Sequence, residues 1–173
     1  MIDELYQEII LDHYRHPRGR GTLEEPKIHQ EGANPLCGDE VIIELRVEDG
    51  RISDIRFSGR GCSISQASAS MLVEAVRGKT LPEAHALIQK VYAMIRGESP
   101  PDPEEMGDLS ALAGVSRFPV RVKCATLPWH TLEEALKTAT TSLSARPSEP
   151  SDFSDLSDLS DRSDSSDPSE SLK

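Results

Sequence analysis

Apolar side chains near the start of the chain recur at three- and four-residue intervals, the spacing of one face of a helix. The stripe is formed by Ile2, Leu5, Tyr6, Ile9, Ile10 and Tyr14. It predicts an amphipathic helix over residues 2–14. His16-Pro17 ends this helix, because the residue before a proline is disfavoured in helical geometry. A short strand is expected near Lys27-Ile28-His29.

A period of two replaces the helical period between Glu40 and Glu48, where Val, Ile and Leu alternate with mainly polar residues. This alternation predicts a strand with one dry face. Asp49-Gly50 suits a two-residue hairpin turn, so the chain is expected to return as a second strand over Arg51–Ser58. The apolar positions of that strand are out of step by one residue, which predicts a bulge near Ser53-Asp54.

Helical patterns dominate the rest of the chain up to about residue 143. One helix is predicted to begin with a capping box at Ser63–Gln66, and the next with a capping box at Thr80–Glu83. The pattern over Leu109–Val115 predicts one or two helical turns. Thr131 is expected to cap the final helix. Together the elements predict an α+β fold, in which helices pack on the dry face of a small antiparallel sheet.

The composition changes at Pro147, beyond which a Ser-acidic-X triplet occurs eight times and holds six of the eleven net negative charges. Such a segment cannot bury enough apolar area to offset the entropy lost on ordering. We therefore expect a folded domain over residues 1–146 and a disordered, acidic, low-complexity tail over residues 147–173.

The charge balance bears on the possible partners. The chain has 19 Lys and Arg against 30 Asp and Glu, a net charge of -11. This argues against a nucleic-acid partner, because nucleic-acid affinity depends largely on cationic contacts to phosphates. No apolar run approaches the roughly 20 residues of a membrane span, and Met1-Ile2-Asp3-Glu4 does not begin a signal peptide. A cytoplasmic protein without a membrane partner is expected.

Three cysteines, Cys37, Cys62 and Cys124, carry the candidate chemistry. An odd number of thiols in a reducing compartment argues against a disulfide framework. Cys37 and Asp39 lie two residues apart, and we expect both to meet Cys62 and Cys124 around one metal ion, since thiolates favour zinc or iron-sulfur clusters. The alternative is that the cysteines are small core residues and that Asp39 is a solvated carboxylate at the start of a strand.

Four motifs give the chain from Leu5 to about Leu136 a resemblance to the SufU family, relatives of the IscU iron-sulfur scaffolds. The motifs are Asp12-His13-Tyr14 with His16-Pro17-Arg18, Asn34-Pro35-x-Cys37-Gly38-Asp39, Gly59-x-Gly61-Cys62-x-Ile64-Ser65-x-Ala67-Ser68-Ala69-Ser70-Met71, and Arg121-Val122-Lys123-Cys124-Ala125-x-Leu127-x-Trp129. Lys123 stands where IscU scaffolds have histidine, and the segment around Leu81–Arg96 matches an insertion of the SufU branch. Gly19 departs from the asparagine that is usual there.

The resemblance implies a SufE/IscU-like fold and a zinc ion held by Cys37, Asp39, Cys62 and Cys124. It also implies a sulfurtransferase-type carrier that accepts sulfur from a SufS-type cysteine desulfurase and serves a downstream assembly scaffold or apo-proteins. Cys37 is the expected sulfur acceptor, because its glycine-flanked loop allows it to leave the metal. Arg121 is a candidate to offset the negative charge of the centre, or else a surface residue.

Three other functions remain open on the residues. The same ligands would suit a scaffold that assembles a [2Fe-2S] cluster and passes it to apo-proteins. The metal would be purely structural in a module that only docks on a partner. A hydrolase would pair Cys37 with His13, His16 or His29.

Overall fold

The computed structural model describes the backbone of residues 2–144 and the side chains of residues 4–142. The predicted tail over residues 147–173, and its boundary, lie outside the described residues. In chain order the elements are α1 (Ile2–Arg15), β1 (Ile28–Asn34), β2 (Asp39–Glu48), β3 (Arg51–Arg60), α2 (Ser63–Val76), α3 (Leu81–Ile95), α4 (Pro103–Met106), a 3-10 helix (Gly107–Arg117) and α5 (Pro119–Ser144). Among the helices of residues 2–144, none combines the length and apolar character that crossing a membrane requires.

The three strands form one antiparallel sheet in the order β1-β2-β3. The predicted hairpin is confirmed, with φ of 54° at Asp49 and 74° at Gly50, the left-handed values that its turn needs. The predicted bulge is confirmed as well: Arg46 pairs with Asp54 and Val47 with Ile52, which leaves Ser53 as the extra residue. β1 extends well beyond the short strand that was expected.

Helices pack on one face of the sheet, which confirms the predicted α+β architecture. The inward side chains of β2 and β3 are buried together with those of α2, and they include Val41, Ile43, Leu45, Ile52, Ile55, Phe57, Ala67 and Leu72. Small residues on α2 let α5 come close, because Ser68 Oγ donates to the carbonyl of Ala125 at 2.7 Å and accepts from Trp129 Nε1 at 2.9 Å. α2 is thus fixed between the sheet and α5.

The two predicted capping boxes have different outcomes. At Thr80 both reciprocal hydrogen bonds with Glu83 are present. The box at Ser63–Gln66 is wrong, because Ser63 is already helical and Cys62 occupies the N-cap without a side-chain cap hydrogen bond. This places the Cys62 thiol at the N-terminal end of α2.

The predicted start of the last helix at Thr131 is also wrong. α5 begins at Pro119 and continues through Pro128, and Thr131 Oγ1 donates to the carbonyl of Leu127 within the helix at 2.9 Å. A proline inside a helix costs about 3 kcal/mol. The burial of one apolar face on the core, which includes Trp129 and Leu132, outweighs that cost. Cys124 consequently lies inside a helix and not where a loop meets one.

The carboxylate of Glu44 is buried on the face of the sheet opposite the helices. The alternation in β2 had predicted that this face is exposed to solvent. Glu44 is only 4% exposed. Its oxygens accept hydrogen bonds from the backbone N–H of Leu23 at 2.7 Å and from Lys27 Nζ at 2.8 Å, and lie 3.1 Å from His29 Nδ1. Burial raises the pKa of Glu44, but these partners outweigh it and lower the pKa to about 2.

Replacing Glu44 with glutamine is expected to lower the free energy of unfolding by roughly 3 kcal/mol at pH 7. The pKa of Glu44 falls from 4.5 to about 2 in the folded protein, so its stabilisation is complete above pH 4.5 and is lost as the pH falls towards 2. Urea unfolding of the variant and the parent at pH 7 and near pH 3 measures this. Glu48→Gln, at an exposed position of β2, is the control, and equal midpoints for Glu44→Gln and the parent at pH 7 would contradict the prediction.

Candidate metal centre

Cys37 lies in the tight connection between β1 and β2. Asn34 and Asp39 are paired across the two strands, so the connection consists of residues 35–38. The carbonyl of Asn34 accepts hydrogen bonds from the N–H of Cys37 at 3.2 Å and of Gly38 at 2.9 Å. Cys37 is half-buried at the end of this turn. The turn itself is well anchored, and the thiol retains access to solvent.

Cys124, on α5, contacts Cys37. It lies in the second turn of α5 and is fully buried, and its Sγ is 3.3 Å from Cys37 Sγ. One ligand atom each from Cys37, Asp39 and Cys124 lies within 4.8 Å of the other two. Three of the four side chains that were predicted to converge are therefore together.

Asp39 links this group to the fourth predicted residue. Its side chain is 1% exposed, so the interpretation as a solvated carboxylate is wrong. Oδ1 accepts a hydrogen bond from the backbone N–H of Cys62 at 2.8 Å, and Oδ2 lies 4.0 Å from Cys62 Sγ. Cys62 is adjacent to the cluster of three but does not belong to it.

Gly61 makes the approach of α2 to Asp39 possible. A Cβ at this position would lie 2.6 Å from Asp39 Oδ1 and 2.5 Å from Ser65 Oγ, both far inside van der Waals contact. Any other residue would push the N-terminal end of α2 away from the carboxylate. Sequence reasoning noted the glycine but missed this steric role, because the role depends on a partner 22 positions away.

The surroundings of Cys124 disfavour ionisation of its thiol. Burial raises the pKa of the Cys124 thiol well above its usual range, and hydrogen bonds with Asp39 and Cys37 raise it further. Arg121 is exposed one helical turn before Cys124, and the nearby Cys62 and then Cys124 raise the pKa of its guanidinium. Arg121 thus faces the thiol cluster.

The donor set fits a soft or borderline cation. In a tetrahedral zinc site with Zn–S bonds of about 2.3 Å, two sulfurs lie about 3.8 Å apart, and the Cys37 and Cys124 sulfurs are at 3.3 Å. A cation would also offset the repulsion among thiolates and a carboxylate packed this closely. The residues present are therefore suited to hold zinc or iron, with thiolate as the main ligand type.

Asn34 is a site residue that sequence reasoning did not single out. It is 7% exposed, and its Nδ2 donates towards Cys124 Sγ at 3.9 Å while its Oδ1 accepts from the N–H of Leu36 at 3.2 Å. An asparagine ahead of a Pro-x-Cys sequence is a common turn residue, so its contact with a cysteine 90 positions away had no sequence signal.

His13 and His29 are engaged elsewhere, whereas His16 is exposed just after α1, with its Nδ1 3.2 Å from Asp12 Oδ1. His13 is fully buried, with Nδ1 2.8 Å from Ser70 Oγ and Nε2 2.9 Å from Asp108 Oδ2. The ring nitrogens of His29 contact Glu44 and Glu31. With both nitrogens of each ring already bonded, neither residue is available as a base for Cys37, which removes most of the support for a hydrolase.

Exposed apolar side chains lie close along the chain to Cys37 and Cys124. Leu36 is 77% exposed beside Cys37, and Phe118 and Val120 are 60% and 68% exposed at the start of α5. A groove of about 400 Å³ begins at Arg121 and runs between α1, α2, the 3-10 helix and α5. Its lining includes Tyr6, Ile10, Ile64, Val115 and Phe118. Exposed large apolar side chains grouped in this way indicate a contact surface for another protein.

Comparison with known proteins agrees with this geometry. Residues 5–125 match the family model described as the NifU-like N terminal domain. The chain is 41% identical over 135 residues to the zinc-dependent sulfurtransferase SufU of Bacillus subtilis (strain 168), an alignment that covers 78% of this chain and 91% of that protein. It is 39% identical over 141 residues to the iron-sulfur cluster assembly scaffold protein IscU of Streptococcus pyogenes serotype M1, covering 82% and 88%.

Among solved structures, the N-terminal part of a nitrogen-fixing NifU-like protein from Brucella abortus superposes with a TM-score of 0.71 at 26% identity, over 79% of this chain and 95% of that one. The family match extends over well more than half of the sequence, and it includes all three cysteines and Asp39. The chain therefore belongs to the NifU-like N-terminal domain family, together with the SufU and IscU proteins.

Proposed function

We propose that this protein is an iron-sulfur cluster assembly protein of the SufU type, which accepts sulfur from the persulfide of a SufS-type cysteine desulfurase. The observation that carries the proposal is the meeting of the Cys37 and Cys124 thiols with the buried carboxylate of Asp39 at a partly accessible edge of the fold. Cys62 lies beside them. The name of the Bacillus relative, a zinc-dependent sulfurtransferase, points in the same direction.

Zinc is the metal we propose, held by Cys37, Asp39, Cys62 and Cys124. Bound zinc would keep the thiols in the thiolate form near neutral pH. Asp39 is already oriented for such a role, because the N–H of Cys62 holds its Oδ1 and leaves Oδ2 facing the sulfurs. Three thiolates and one carboxylate exceed the charge of a divalent cation by two, and the guanidinium of Arg121 offsets part of this excess.

Cys37 is the proposed sulfur acceptor. Cys124 is fully buried within α5. Cys62 is half-buried at the N-cap of α2, where its Sγ lies 4.0 Å from Asp39 Oδ2 and 3.9 Å from Ser65 Oγ. Cys37 is half-buried and lies on a turn that faces solvent. It is the thiol that a donor can approach with the least rearrangement of the fold.

The transfer step is a thiol-persulfide exchange. The Cys37 thiolate attacks the outer sulfur of the donor's cysteine persulfide. The sulfur-sulfur bond of the donor breaks, a new one forms on Cys37, and the donor cysteine leaves as a thiolate. The step needs no external oxidant or reductant, because the transferred sulfur keeps its oxidation state.

The apolar rim formed by Leu36, Phe118 and Val120 suits the docking of the desulfurase. Covering these side chains would exclude water from the sulfurs during transfer and would gain roughly 25 cal/mol for each Å² of apolar surface buried. From Cys37 the sulfur would pass to a downstream assembly scaffold or to apo-proteins.

Assembly of a [2Fe-2S] cluster on the same ligands is the second candidate function, favoured by the scaffold name of the IscU relatives. Metal analysis of protein purified without oxygen separates the two. The proposal expects about one zinc per chain and no visible absorbance. A labile chromophoric cluster that moves intact to an apo-protein would instead establish the scaffold function.

Substitution of Cys37 tests the acceptor role. Wild-type protein is expected to stimulate alanine release by the desulfurase and to gain the mass of one sulfur atom on the Cys37 peptide, while Cys37→Ser does neither. The loss in stimulation should be at least a hundredfold, because the acceptor atom is removed. Atomic spectroscopy of zinc in Cys37→Ser and Cys124→Ser separates metal loss from loss of the acceptor. Equal stimulation by wild type and Cys37→Ser would refute the assignment.

Charge placed on the apolar rim tests docking. Leu36→Glu and Phe118→Glu are each expected to raise the KM for this protein in the desulfurase assay about tenfold, since an apolar contact is replaced by a buried charge. Zinc content should stay at the wild-type level. Leu11→Glu alters a leucine that is 38% exposed on α1 and is the control. An unchanged KM for both rim variants would show that the partner binds elsewhere.

A further inference from the structure

The side chain of Asn34 connects two parts of the sulfur site that are far apart in sequence. Asn34 ends β1 and is buried opposite Asp39. Oδ1 accepts the N–H of Leu36 in the turn that carries Cys37, and Nδ2 donates towards Cys124 Sγ in α5. The orientation of the amide follows from its partners. The N–H of Leu36 can only donate, so the oxygen faces it and the NH₂ faces the sulfur.

We propose that Asn34 is a positioning residue that makes Cys124 the fixed sulfur and Cys37 the reactive one. The inference rests on the proposed function, and it adds to that function a cause for the difference between the two thiols. Their sulfurs are only 3.3 Å apart, and the contacts of Asn34 add to the difference in burial between them.

The first part of the cause acts on Cys124. A hydrogen bond from an amide to a sulfur withdraws electron density from the lone pairs that would attack an electrophile. Cys124 is fully buried, with its Sγ 3.9 Å from Asn34 Nδ2 and 4.0 Å from the carbonyl oxygen of Val120. The amide group therefore holds Cys124 Sγ in its place and weakens it as a nucleophile.

The second part acts on Cys37 through its backbone. The carbonyl of Asn34 accepts from the N–H groups of Cys37 and Gly38, and its side chain accepts from Leu36. These bonds hold the main chain of the turn and do not engage the Cys37 thiol itself. Cys37 can turn towards a donor while the loop stays in place.

Asn34→Asp is the sharpest test because it changes one atom. It keeps an oxygen for the N–H of Leu36 and the backbone bonds to Cys37 and Gly38, but it replaces the donor facing Cys124 with an anionic acceptor. The resulting repulsion of the Cys124 thiolate is expected to weaken zinc binding by about ten- to a hundredfold, measured by competition with a chromophoric chelator.

Two further readouts separate positioning from a general loss of structure. Limited alkylation of the zinc-loaded protein with iodoacetamide, mapped by peptide mass, should label Cys37 about tenfold faster than Cys124 in the wild type, and less than about threefold faster in Asn34→Asp. In the desulfurase assay kcat should fall by about tenfold or more while KM is unchanged, because the rim of Leu36, Phe118 and Val120 is intact.

Matched variants complete the design. Gln30→Glu introduces the same charge on the same strand and is expected to behave as the wild type in all three measurements. Asn34→Ala removes both side-chain bonds without adding charge, and should also reduce zinc affinity and alkylation selectivity if Asn34→Asp does not fold. Wild-type zinc affinity and selectivity in a folded Asn34→Asp or Asn34→Ala would overturn the inference. A wild-type protein that neither binds zinc nor accepts sulfur would instead refute the proposed function.

Discussion

One hydrogen bond, from the backbone N–H of Cys62 to Oδ1 of Asp39, joins the two halves of the sulfur site. Asp39 begins β2 and Cys62 immediately precedes α2, so the bond connects the sheet to the helix at the ends that lie beside the cysteines. A buried charge-assisted hydrogen bond contributes about 1.5–3 kcal/mol. It forms only because Gly61 leaves room for the carboxylate. The rest of the site is arranged around this contact.

The position of Asp39 also decides what the site can hold. With one carboxylate oxygen occupied by Cys62, the other oxygen faces sulfur. An anion buried this deeply requires compensation. The N–H of Cys62 supplies part of it, and a cation beside the sulfurs would supply the rest, with Arg121 acting from the solvent side. The Asp39 carboxylate thus connects β2 to α2 through one oxygen and lies beside the sulfurs with the other.

Features fixed by local interactions were predictable from the sequence. The Asp49-Gly50 hairpin, the bulge at Ser53 and the capping box at Thr80 each involve residues that are close along the chain. The proximity of Cys37 and Asp39 follows from their spacing of two. The convergence of Cys124 with these residues was expected from the kinds of residue and from family resemblance, since a gap of 87 positions fixes no distance.

The errors arose where tertiary packing overrides a local rule. Thr131 was expected to cap the final helix, yet the apolar face around Trp129 is part of a helix that begins at Pro119 and continues past Thr131. Glu44 occupied a polar strand position, yet the segment before β1 covers it with compensating donors. The role of Asn34 was hidden for the same reason, because its partner sulfur comes from the far end of the domain.

Pro128 has a mechanical consequence for the sulfur site. In a regular helix the N–H at this position would bond the carbonyl four residues earlier, which belongs to Cys124, and proline has no such hydrogen. The backbone hydrogen bond to the carbonyl of Cys124 is therefore missing from the helix. Fewer backbone hydrogen bonds thus join the opening turns of α5, which carry Cys124, to the rest of the helix than in a helix without proline.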